Sequence, residues 1–479
     1  MINSYKSLTS SANTKISKIP FGFTVNPHKL NVGKFNGKFS KHEKWMIALT
    51  FLTLPIAICG LFIFEAEFEQ LHIKRLTSSW GFWTYAISIV LLSIKVLFIG
   101  WIFSLYKAYK PIISVSDDLL PNCTVIVPAY NEGEMVYRTL KSLANSNFPD
   151  KKLQVIALDD GSKDDTWKWM KKAKSELGNN LTILQQPQNM GKRAALHRGF
   201  LMGTGEVFIT VDSDSLVNRN TLRNLASPFV NNGKVGAVAG NVMVLNKDKG
   251  IIPKMLQVSF AFSFEFIRSA QSTLGSVLCT PGALAAYKKE AVMNCLEDWV
   301  NQEFMGKKTD IGEDRAMTNM ILKQGYEVKF QKNAEVYTNL PTSYNTLTKM
   351  FTRWERSNVR ENIMLTKFAF SNFREGNKTG TRLLLLNQWI KVIMAYPALL
   401  ILIALLVTQP LLVICSIFIG LFAFSSIPAV FYIIKRKNKE ALLAYTYAIF
   451  YTFSLFWITP YAIATASRRG WLTRTLPGQ

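Results

Sequence analysis

The fold is decided by CTVIVPAYNEGEMVYRTLKSLANSNFPDKKLQVIALDDGS, residues 123–162, in which two β-prone runs flank one stretch with a helical pattern. The same alternation continues through DTWKWMKKAKSEL (165–177), LTILQQ (181–186), KRAALHRGFLMGT (192–204) and EVFITVDSDS (206–215). Strands that alternate with helices in this way predict an α/β domain built on a parallel sheet with helices on both faces.

Polar side chains follow three of these strands at the point where each strand ends. They are Asn131 and Glu132, Asp159 and Asp160, and Asp212 and Asp214. In open α/β sheets, ligands bind beyond the carboxyl ends of the strands. Carboxylates gathered there repel one another unless a cation or a ligand rich in hydrogen-bond donors joins them. The pattern therefore predicts one binding crevice at this edge of the sheet.

Two short motifs suggest what this crevice binds. Asp212 and Asp214 lie two residues apart after an apolar strand, and on extended backbone such side chains point the same way. Two hard oxygen donors suit Mg²⁺ or Mn²⁺ held together with phosphates, although a turn is the commoner reading of such a pair. Lys192 follows Gly191 at a predicted helix start, which provides backbone donors and a cation for a diphosphate. Alone, Lys192 reads equally well as a surface charge.

The rest of the composition narrows the chemistry. The 479 residues are 49% hydrophobic, with only five Cys and four His, so disordered and disulfide-scaffold classes are excluded. The cysteines show no CxxC spacing, and we expect them to be reduced and to form no zinc site. With so few histidines, any catalysis must rely on carboxylates.

Apolar runs at 45–64 and 80–106 are each long enough to cross ~30 Å of hydrocarbon as a helix. Two more predicted spans, 383–406 and 410–434, form a tight helical hairpin. A fifth stretch, 441–466, contains Pro460 and many Tyr, Thr and Ser residues, and it fits either a span or an interfacial helix. Lys95 and Lys391 lie inside predicted spans, where they either face a polar path or pair within the helix bundle.

Lysine placement predicts the orientation of these spans, since short basic flanks stay in the cytoplasm. Residues 1–44 carry eight Lys and one acid, Glu43, so we expect a basic cytoplasmic arm without a removable signal peptide. Two crossings then leave 107–382 inside. Arg468, Arg469 and Arg474 favour a cytoplasmic C-terminus. The predicted location is the cell membrane, with several spans and a cytoplasmic α/β domain.

The formal net charge of +24 follows mostly from this membrane topology and from solubility. A share of it would also attract anionic lipids and an anionic nucleotide. The lysines are not interleaved with a recognisable nucleic-acid motif, so we expect no nucleic-acid partner.

In order along the chain, six motifs resemble the cytoplasmic domain of family 2 inverting glycosyltransferases: VIVPAYNE (125–132), LDDGSKDDT (158–166), NMGKRAAL (189–196), VDSD (211–214), GEDR (312–315) and RW (353–354). Spans on both sides make the chain similar to the processive synthases, and RSAQSTLGSVLCTPGALAAYKKE (268–290) resembles hyaluronan synthases, with the chitin-oligosaccharide and chitin synthases next. The resemblance covers roughly residues 45–475. It implies a GT-A-like, Rossmann-like domain inserted between transmembrane helices.

The resemblance also implies a role for individual residues. The uridine would be held by Ala129, Tyr130, Glu132 and Asp160. Lys192 would lie near the diphosphate, and Asp212 and Asp214 would bind Mn²⁺ or Mg²⁺ beside it. The other implied site residues are Asp314 as general base, Trp354 as the floor for the acceptor sugar, Arg353 near the diphosphate, Cys279 in an acceptor-lining segment (279–287), and Trp471 and Arg474 in a gating loop (470–474).

The implied organisation is a basic arm (1–44), two transmembrane helices (45–106), the glycosyltransferase domain (107–382), two further transmembrane helices (383–434) and a C-terminal part with the gating loop (435–479). Within the domain, 251–278 and 343–370 would be helices on the membrane surface.

The implied activity is processive: UDP-sugars would be joined by β-linkages into a hyaluronan-like extracellular polysaccharide, which would then be moved across the membrane. The partners would be the UDP-sugar, the growing polysaccharide and membrane lipids. Family members usually have Gln at position 350, where this chain has Met350, and Asp at position 313, where it has Glu313. A chitin or N-acetylglucosamine polymer, a single transfer to a lipid carrier, and a non-enzymatic transporter or scaffold therefore stay open as alternatives.

Overall fold

A computed structural model describes residues 39–468 and residue 470. The first helices are α1 (Lys41–Ile63), α2 (Glu65–Thr77) and α3 (Ser79–Ala108). The α/β domain follows with the helices α4 (Glu134–Ala144), α5 (Thr166–Leu177), α6 (Lys192–Met202), α7 (Thr221–Asn231), α8 (Ile251–Phe260), α9 (Ser269–Thr273), α10 (Lys289–Met293), α11 (Leu296–Val300), α12 (Glu313–Lys323) and α13 (Tyr344–Ala369). The last helices are α14 (Thr379–Ile393), α15 (Ala395–Thr408), α16 (Pro410–Arg436), α17 (Leu443–Ser454) and α18 (Ile458–Ala464).

The strands of the domain are β1 (Cys123–Ala129), β2 (Leu153–Asp159), β3 (Leu181–Gln185), β4 (Val207–Val211), β5 (Ser215–Val217), β6 (Val235–Val244), β7 (Leu284–Lys288), β8 (Glu303–Phe304), β9 (Lys307–Lys308) and β10 (Glu327–Thr338). Eight of them form one sheet in the order β3-β2-β1-β4-β7-β6-β10-β5, and β8 pairs with β9. All residues of β1, β4 and β6 are buried, as expected for central strands covered on both faces.

The sheet is mixed, which corrects the expectation of a parallel sheet. The first four strands in sheet order, β3, β2, β1 and β4, are parallel as predicted. However, β7 runs antiparallel to both of its neighbours, β4 and β6, and β5 runs antiparallel to β10. Sequence alternation predicted parallel pairing because it describes only consecutive elements. It contains no information on β7, which inserts between two strands that precede it in the chain.

Three helical segments are long and apolar enough to cross a membrane: Lys41–Ile63, Gly81–Ala108 and Pro410–Arg436. Two bent pairs would raise the number within the described residues to five, if each pair is one span. The helix predicted over 383–406 is in fact two helices, α14 and α15, bent by 42°. Pro397 explains the break, because it has no N–H to donate to the carbonyl of Ile393.

The C-terminal stretch predicted over 441–466 is also broken, with a bend of 47° between its two helical parts. The break lies at residues 455–457, and Pro460 removes the hydrogen bond that the Phe456 carbonyl would accept. The predicted surface helix over 251–278 is divided as well. It consists of α8, a π-helical segment at Ala261–Arg268, and the short α9.

The turn before β4 depends on the absence of a side chain at Gly205. A Cβ there would lie 2.6 Å from the carbonyl carbon of Cys123 and 2.6 Å from the amide nitrogen of Thr124. These are backbone atoms of the buried strand β1, so they cannot move aside as a flexible side chain could.

We expect Gly205→Ala to lower the free energy of unfolding by about 2 kcal/mol, because the new methyl group overpacks β1. Thermal unfolding of the detergent-solubilised protein measures the change. Gly233→Ala is the matched control, since a Cβ at Gly233 meets no heavy atom within 4 Å. Equal melting temperatures for the two variants would contradict the close approach.

Candidate active site

Most of the predicted site residues line one cleft of about 540 Å³. Those that line it are Glu132, Lys192, Asp212, Asp214, Cys279, Asp314, Arg353 and Trp354. Ala129, Tyr130 and Asp160 lie outside this lining, and Trp471 and Arg474 lie outside the described residues. The cleft therefore joins residues that are far apart in sequence, from the carboxyl ends of the strands to the first turn of α12 and to α13.

A buried lysine joins two of the acidic segments. The Nζ atom of Lys192 lies 2.5 Å from Oδ1 of Asp212 and 3.0 Å from Oε1 of Glu313. Burial alone would lower the pKa of Lys192, but these two carboxylates hold it above its ordinary value. Lys192 is therefore a permanent cation, and it connects the start of α6 with the end of β4 and the start of α12.

Asp212 and Asp214 face the same cleft, but not from an extended strand as predicted. Residues 213 and 214 form a turn between β4 and β5, closed by a hydrogen bond from the Ser215 N–H to the Asp212 carbonyl of 3.1 Å. Oδ1 of Asp214 accepts a hydrogen bond from the Thr338 hydroxyl at 3.2 Å. The turn thus places both carboxylates in the cleft and fixes one of them against β10.

Asp314 lies deeper in the cleft, in the first turn of α12. Its Oδ2 atom accepts the N–H of Gly282 at 3.2 Å, and its Oδ1 atom accepts the N–H of Arg315 at 2.7 Å. Burial and the neighbouring Glu313 raise the pKa of Asp314 to about 6. Glu313 has the opposite shift, since Lys192 lowers its pKa despite burial. Two adjacent acids therefore differ in character, and Asp314 is the one suited to exchange a proton near neutral pH.

Trp354 forms an open aromatic surface at the other side of the cleft. Trp354 is 38% exposed. The rings of Phe351 and Phe260 pack against its ring, at centroid distances of 5.7 and 6.2 Å. An aromatic ring held in this way offers a flat apolar face, on which the C–H groups of a sugar can stack.

Asp160 supports the loop before α6 and does not line the cleft. Its carboxylate accepts hydrogen bonds from the N–H groups of Met190 at 2.8 Å and Gly191 at 2.9 Å, and from the Gln186 amide at 2.7 Å. These bonds hold the loop that leads into Lys192. The predicted contact of Asp160 with uridine stays a prediction.

Several residues that line the cleft were not among the predicted site residues, and Arg268 and Gln388 are two of them. Arg268 lies in the π-helical segment, and its guanidinium carbon is 3.6 Å from the ring centroid of Phe264. The negative charge of Asp314 partly balances the charge of Arg268. Gln388 comes from α14, where its carbonyl oxygen accepts a hydrogen bond from Arg315 at 2.6 Å. Gln388 could have been found as a polar residue inside a predicted membrane span, and Arg268 as the first residue of the motif at 268–290.

The sequence pattern of Glycosyl transferase family 2 matches residues 124–296. The chain contains a family 2 glycosyltransferase domain. Together with the mixed sheet, this match confirms the expected α/β GT-A-like fold and the resemblance to family 2 transferases. The matched residues include the Lys192 and Asp212 side of the cleft, whereas Asp314 and Trp354 lie beyond them.

Curated relatives include an N-acetylglucosaminyltransferase of Rhizobium meliloti (strain 1021), 30% identical over 246 residues, which are 51% of this chain and 57% of that protein. A hyaluronan synthase of Streptococcus pyogenes is 31% identical over 252 residues, 52% of this chain and 59% of the relative. The chain thus spans somewhat more than half the length of these relatives. Among solved structures, a mannosyltransferase of Pyrobaculum calidifontis in complex with GDP-Man and Mn²⁺ is similar in fold, with a TM-score of 0.49 and 20% identity. The match covers 78% of this chain and 96% of that one.

The transferase domain offers donors for a divalent cation. No group of three or more His, Cys, Asp or Glu side chains suited to a metal occurs in the part of the chain that the structure describes. However, Mg²⁺ and Mn²⁺ that bind with substrate phosphates need only one or two protein carboxylates. Asp212 and Asp214 both line the cleft and fit that requirement.

We expect Lys192→Met to lower the free energy of unfolding by about 3 kcal/mol at neutral pH, because two carboxylates lose the cation between them. The folded-state pKa of Glu313, which Lys192 lowers despite burial, then rises, so the loss of stability should grow as the pH rises and shrink as Glu313 becomes protonated. Melting temperatures of wild type and variant across a pH series measure this.

The control for this prediction is Lys141→Met. Lys141 forms a partly exposed pair with Glu176 at 3.0 Å, and such pairs contribute at most about 1 kcal/mol. The role of Lys192 between the two carboxylates would be contradicted if Lys192→Met lost no more stability than Lys141→Met. It would also be contradicted if the loss of stability did not depend on pH.

Proposed function

We propose that this protein is a processive inverting β-glycosyltransferase that polymerises UDP-sugars into a hyaluronan-like polysaccharide and moves the polymer across the membrane. The observation that carries the proposal is the single cleft that contains Lys192, Asp212, Asp314 and Trp354. It combines a cationic and carboxylate-rich end suited to a nucleotide diphosphate with a proton acceptor and an aromatic platform.

The donor would bind at the end of the cleft formed by Lys192, Asp212, Asp214 and Arg353. Lys192, Asp212 and Asp214 surround the carboxyl end of β4. Arg353 lines the same cleft, and its positive charge adds to that of Lys192 in lowering the pKa of Glu313. A divalent cation held by Asp212 and Asp214 would neutralise charge on the leaving diphosphate. Lys192 would contribute a second positive charge from the protein itself.

The acceptor sugar would stack on Trp354 and present a hydroxyl group to Asp314. As this oxygen forms a bond to the anomeric carbon, its proton passes to the Asp314 carboxylate and the bond from the anomeric carbon to the diphosphate breaks. Attack from the face opposite the leaving group converts an α-linked donor into a β-linked product. The pKa of about 6 keeps Asp314 ionised at neutral pH, ready to accept the proton.

Polar side chains that continue from the cleft into the predicted membrane helices support export of the product. Gln388 lines the cleft, and Asn387 beside it accepts a hydrogen bond from Lys95 at 3.5 Å. Lys391, one turn farther along α14, forms an ion pair with Glu355. Both lysines have partners within the helix bundle, Lys95 from α3 and Lys391 from α14. Asn387, Gln388 and Lys391 together give α14 one polar face. We propose that this face borders the polymer path, with the catalytic domain in the cytoplasm.

A polymer of N-acetylglucosamine is the second candidate, because one of the similar curated proteins is named as an N-acetylglucosaminyltransferase. A single transfer to a lipid carrier would use the same donor site but would not need an aromatic platform for a growing chain. The exposed ring of Trp354 therefore favours polymer synthesis.

The test is incubation of the purified protein in lipid nanodiscs with Mn²⁺ and a panel of UDP-sugars, singly and in pairs. Linkage-specific glycosidases then identify the product. A high polymer made only when a uronic acid donor and an N-acetylhexosamine donor are both present supports the hyaluronan-like product. A polymer from UDP-N-acetylglucosamine alone supports the second candidate, and a single adduct on lipid contradicts processivity.

We expect kcat/KM to fall about tenfold for each pH unit below about 6, because the general base Asp314 must be ionised to accept the proton. The measurement is the rate of UDP release at low UDP-sugar concentration across a pH series.

Asp314→Asn should lower the rate about a thousandfold and abolish the fall in kcat/KM at low pH, which we call the acid limb. The control is Asp298→Asn on the exposed side of α11, which should keep both the rate and the limb. An unchanged acid limb in Asp314→Asn would assign the titration to another group.

A further inference from the structure

The residue that follows the aromatic platform has contacts with two other helices and with its own. Glu355 is one residue beyond Trp354 in α13, and its side chain is only 12% exposed. Its Oε1 atom pairs with Lys391 of α14 and accepts a hydrogen bond from Thr459 of α18 at 3.0 Å. Its Oε2 atom accepts a hydrogen bond from Asn358 at 2.9 Å.

Asn358 extends this network to the catalytic helix. Its side-chain oxygen accepts a hydrogen bond from the guanidinium group of Arg315, the residue after Asp314. Arg315 also donates to Asn362 and to Gln388, at 2.6 Å each. A continuous series of hydrogen bonds thus runs from the first turn of α12, through Glu355, to a predicted membrane helix and to α18.

A neighbouring residue strengthens the attachment to α18. The Nε atom of Arg356 donates to the hydroxyl of Thr465 at 2.9 Å, and its guanidinium carbon lies 5.4 Å from the ring centroid of Tyr461. Glu355 and Arg356 therefore both bind the segment 459–465, which leads into the C-terminal residues.

We propose that Glu355 is a positioning residue that keeps the Trp354 platform in register with Asp314 and with the entrance of the membrane helices. This inference rests on the proposed function. A buried carboxylate with partners on three helices can adopt only one arrangement, and loss of its charge would leave Lys391 without its counterion. Burial opposes ionisation, yet Lys391 and the two hydrogen-bond donors hold the pKa of Glu355 below its ordinary value.

Misplacement of the platform has a specific chemical consequence. If the acceptor hydroxyl is displaced, water can reach the anomeric carbon in its place, and its proton can still pass to Asp314. UDP is then released together with free sugar, and the polymer is not extended. The ratio of sugar incorporated to UDP released would therefore fall, because small displacements of a reacting group sharply reduce its reactivity. This ratio does not depend on how much of a variant is folded.

The experiment measures that ratio in nanodiscs for wild type, Glu355→Gln, Lys391→Met and Lys391→Arg. We expect a decrease of about tenfold in Glu355→Gln and in Lys391→Met, with KM for the UDP-sugar unchanged, and near wild-type ratios in Lys391→Arg, which keeps the positive charge. Lys391→Met provides the same test from the other partner if Glu355→Gln does not fold.

Glu43→Gln is the matched control. Glu43 of α1 forms a buried ion pair with Lys254 of α8 at 2.7 Å, so it also joins a predicted membrane helix to the domain, but it does not line the cleft. Its ratio should equal that of wild type. Unchanged ratios in both Glu355→Gln and Lys391→Met, or an equal fall in Glu43→Gln, would overturn the inference. A wild-type protein that releases no UDP from any UDP-sugar would instead overturn the proposed function, and the inference with it.

Discussion

The buried ammonium group of Lys192 between Asp212 and Glu313 is the interaction on which the rest of the site depends. Without a cation between them, the acidic residues at the end of β4 and at the start of α12 would repel each other across the cleft. The lysine brings these segments together and lowers the pKa of Glu313, while burial and the negative charge of Glu313 raise the pKa of Asp314. Glu313 is stabilised as an anion, while the pKa of the adjacent Asp314 rises toward neutrality.

The α/β domain is joined to the apolar helices by both apolar and polar contacts. Phe262 and Phe266 pack against Phe431 of α16, and buried or partly buried ion pairs connect Glu43 with Lys254 and Glu355 with Lys391. Such pairs contribute little net stability compared with apolar packing, but they favour one alignment, because a charge without its partner in a buried position is costly. In the proposed function, this property would keep Trp354 aligned with the predicted membrane helices.

Much of the fold and of the cleft could be predicted from the sequence. The alternation between residues 123 and 215 predicted the parallel half of the sheet, and the apolar runs located the long helices. The predicted site residues in the described part of the chain came together in one cleft, apart from Ala129, Tyr130 and Asp160. The antiparallel insertion of β7 and the bend near Pro397 were not predicted. A turn was the alternative prediction for Asp212–Asp214, and Pro460 already argued against one continuous span over 441–466. The prolines were visible in the sequence, but the angle between the helices they separate depends on what those helices pack against.

The sequence by itself determined the properties that depend on neighbours along the chain: where helices and strands form, which stretches are apolar enough for a membrane, and which motifs carry the acids and the lysine. Only the tertiary structure decided which of these groups become partners. Lys192 could have been a surface charge, and Lys391 could have faced lipid or water, but their pairing with Glu313 and Glu355 was set by the packing of α6 against the sheet and of α14 against α13. The physical reason is that charge pairing depends on distance and burial in space, and neither is encoded in the spacing of residues along the chain.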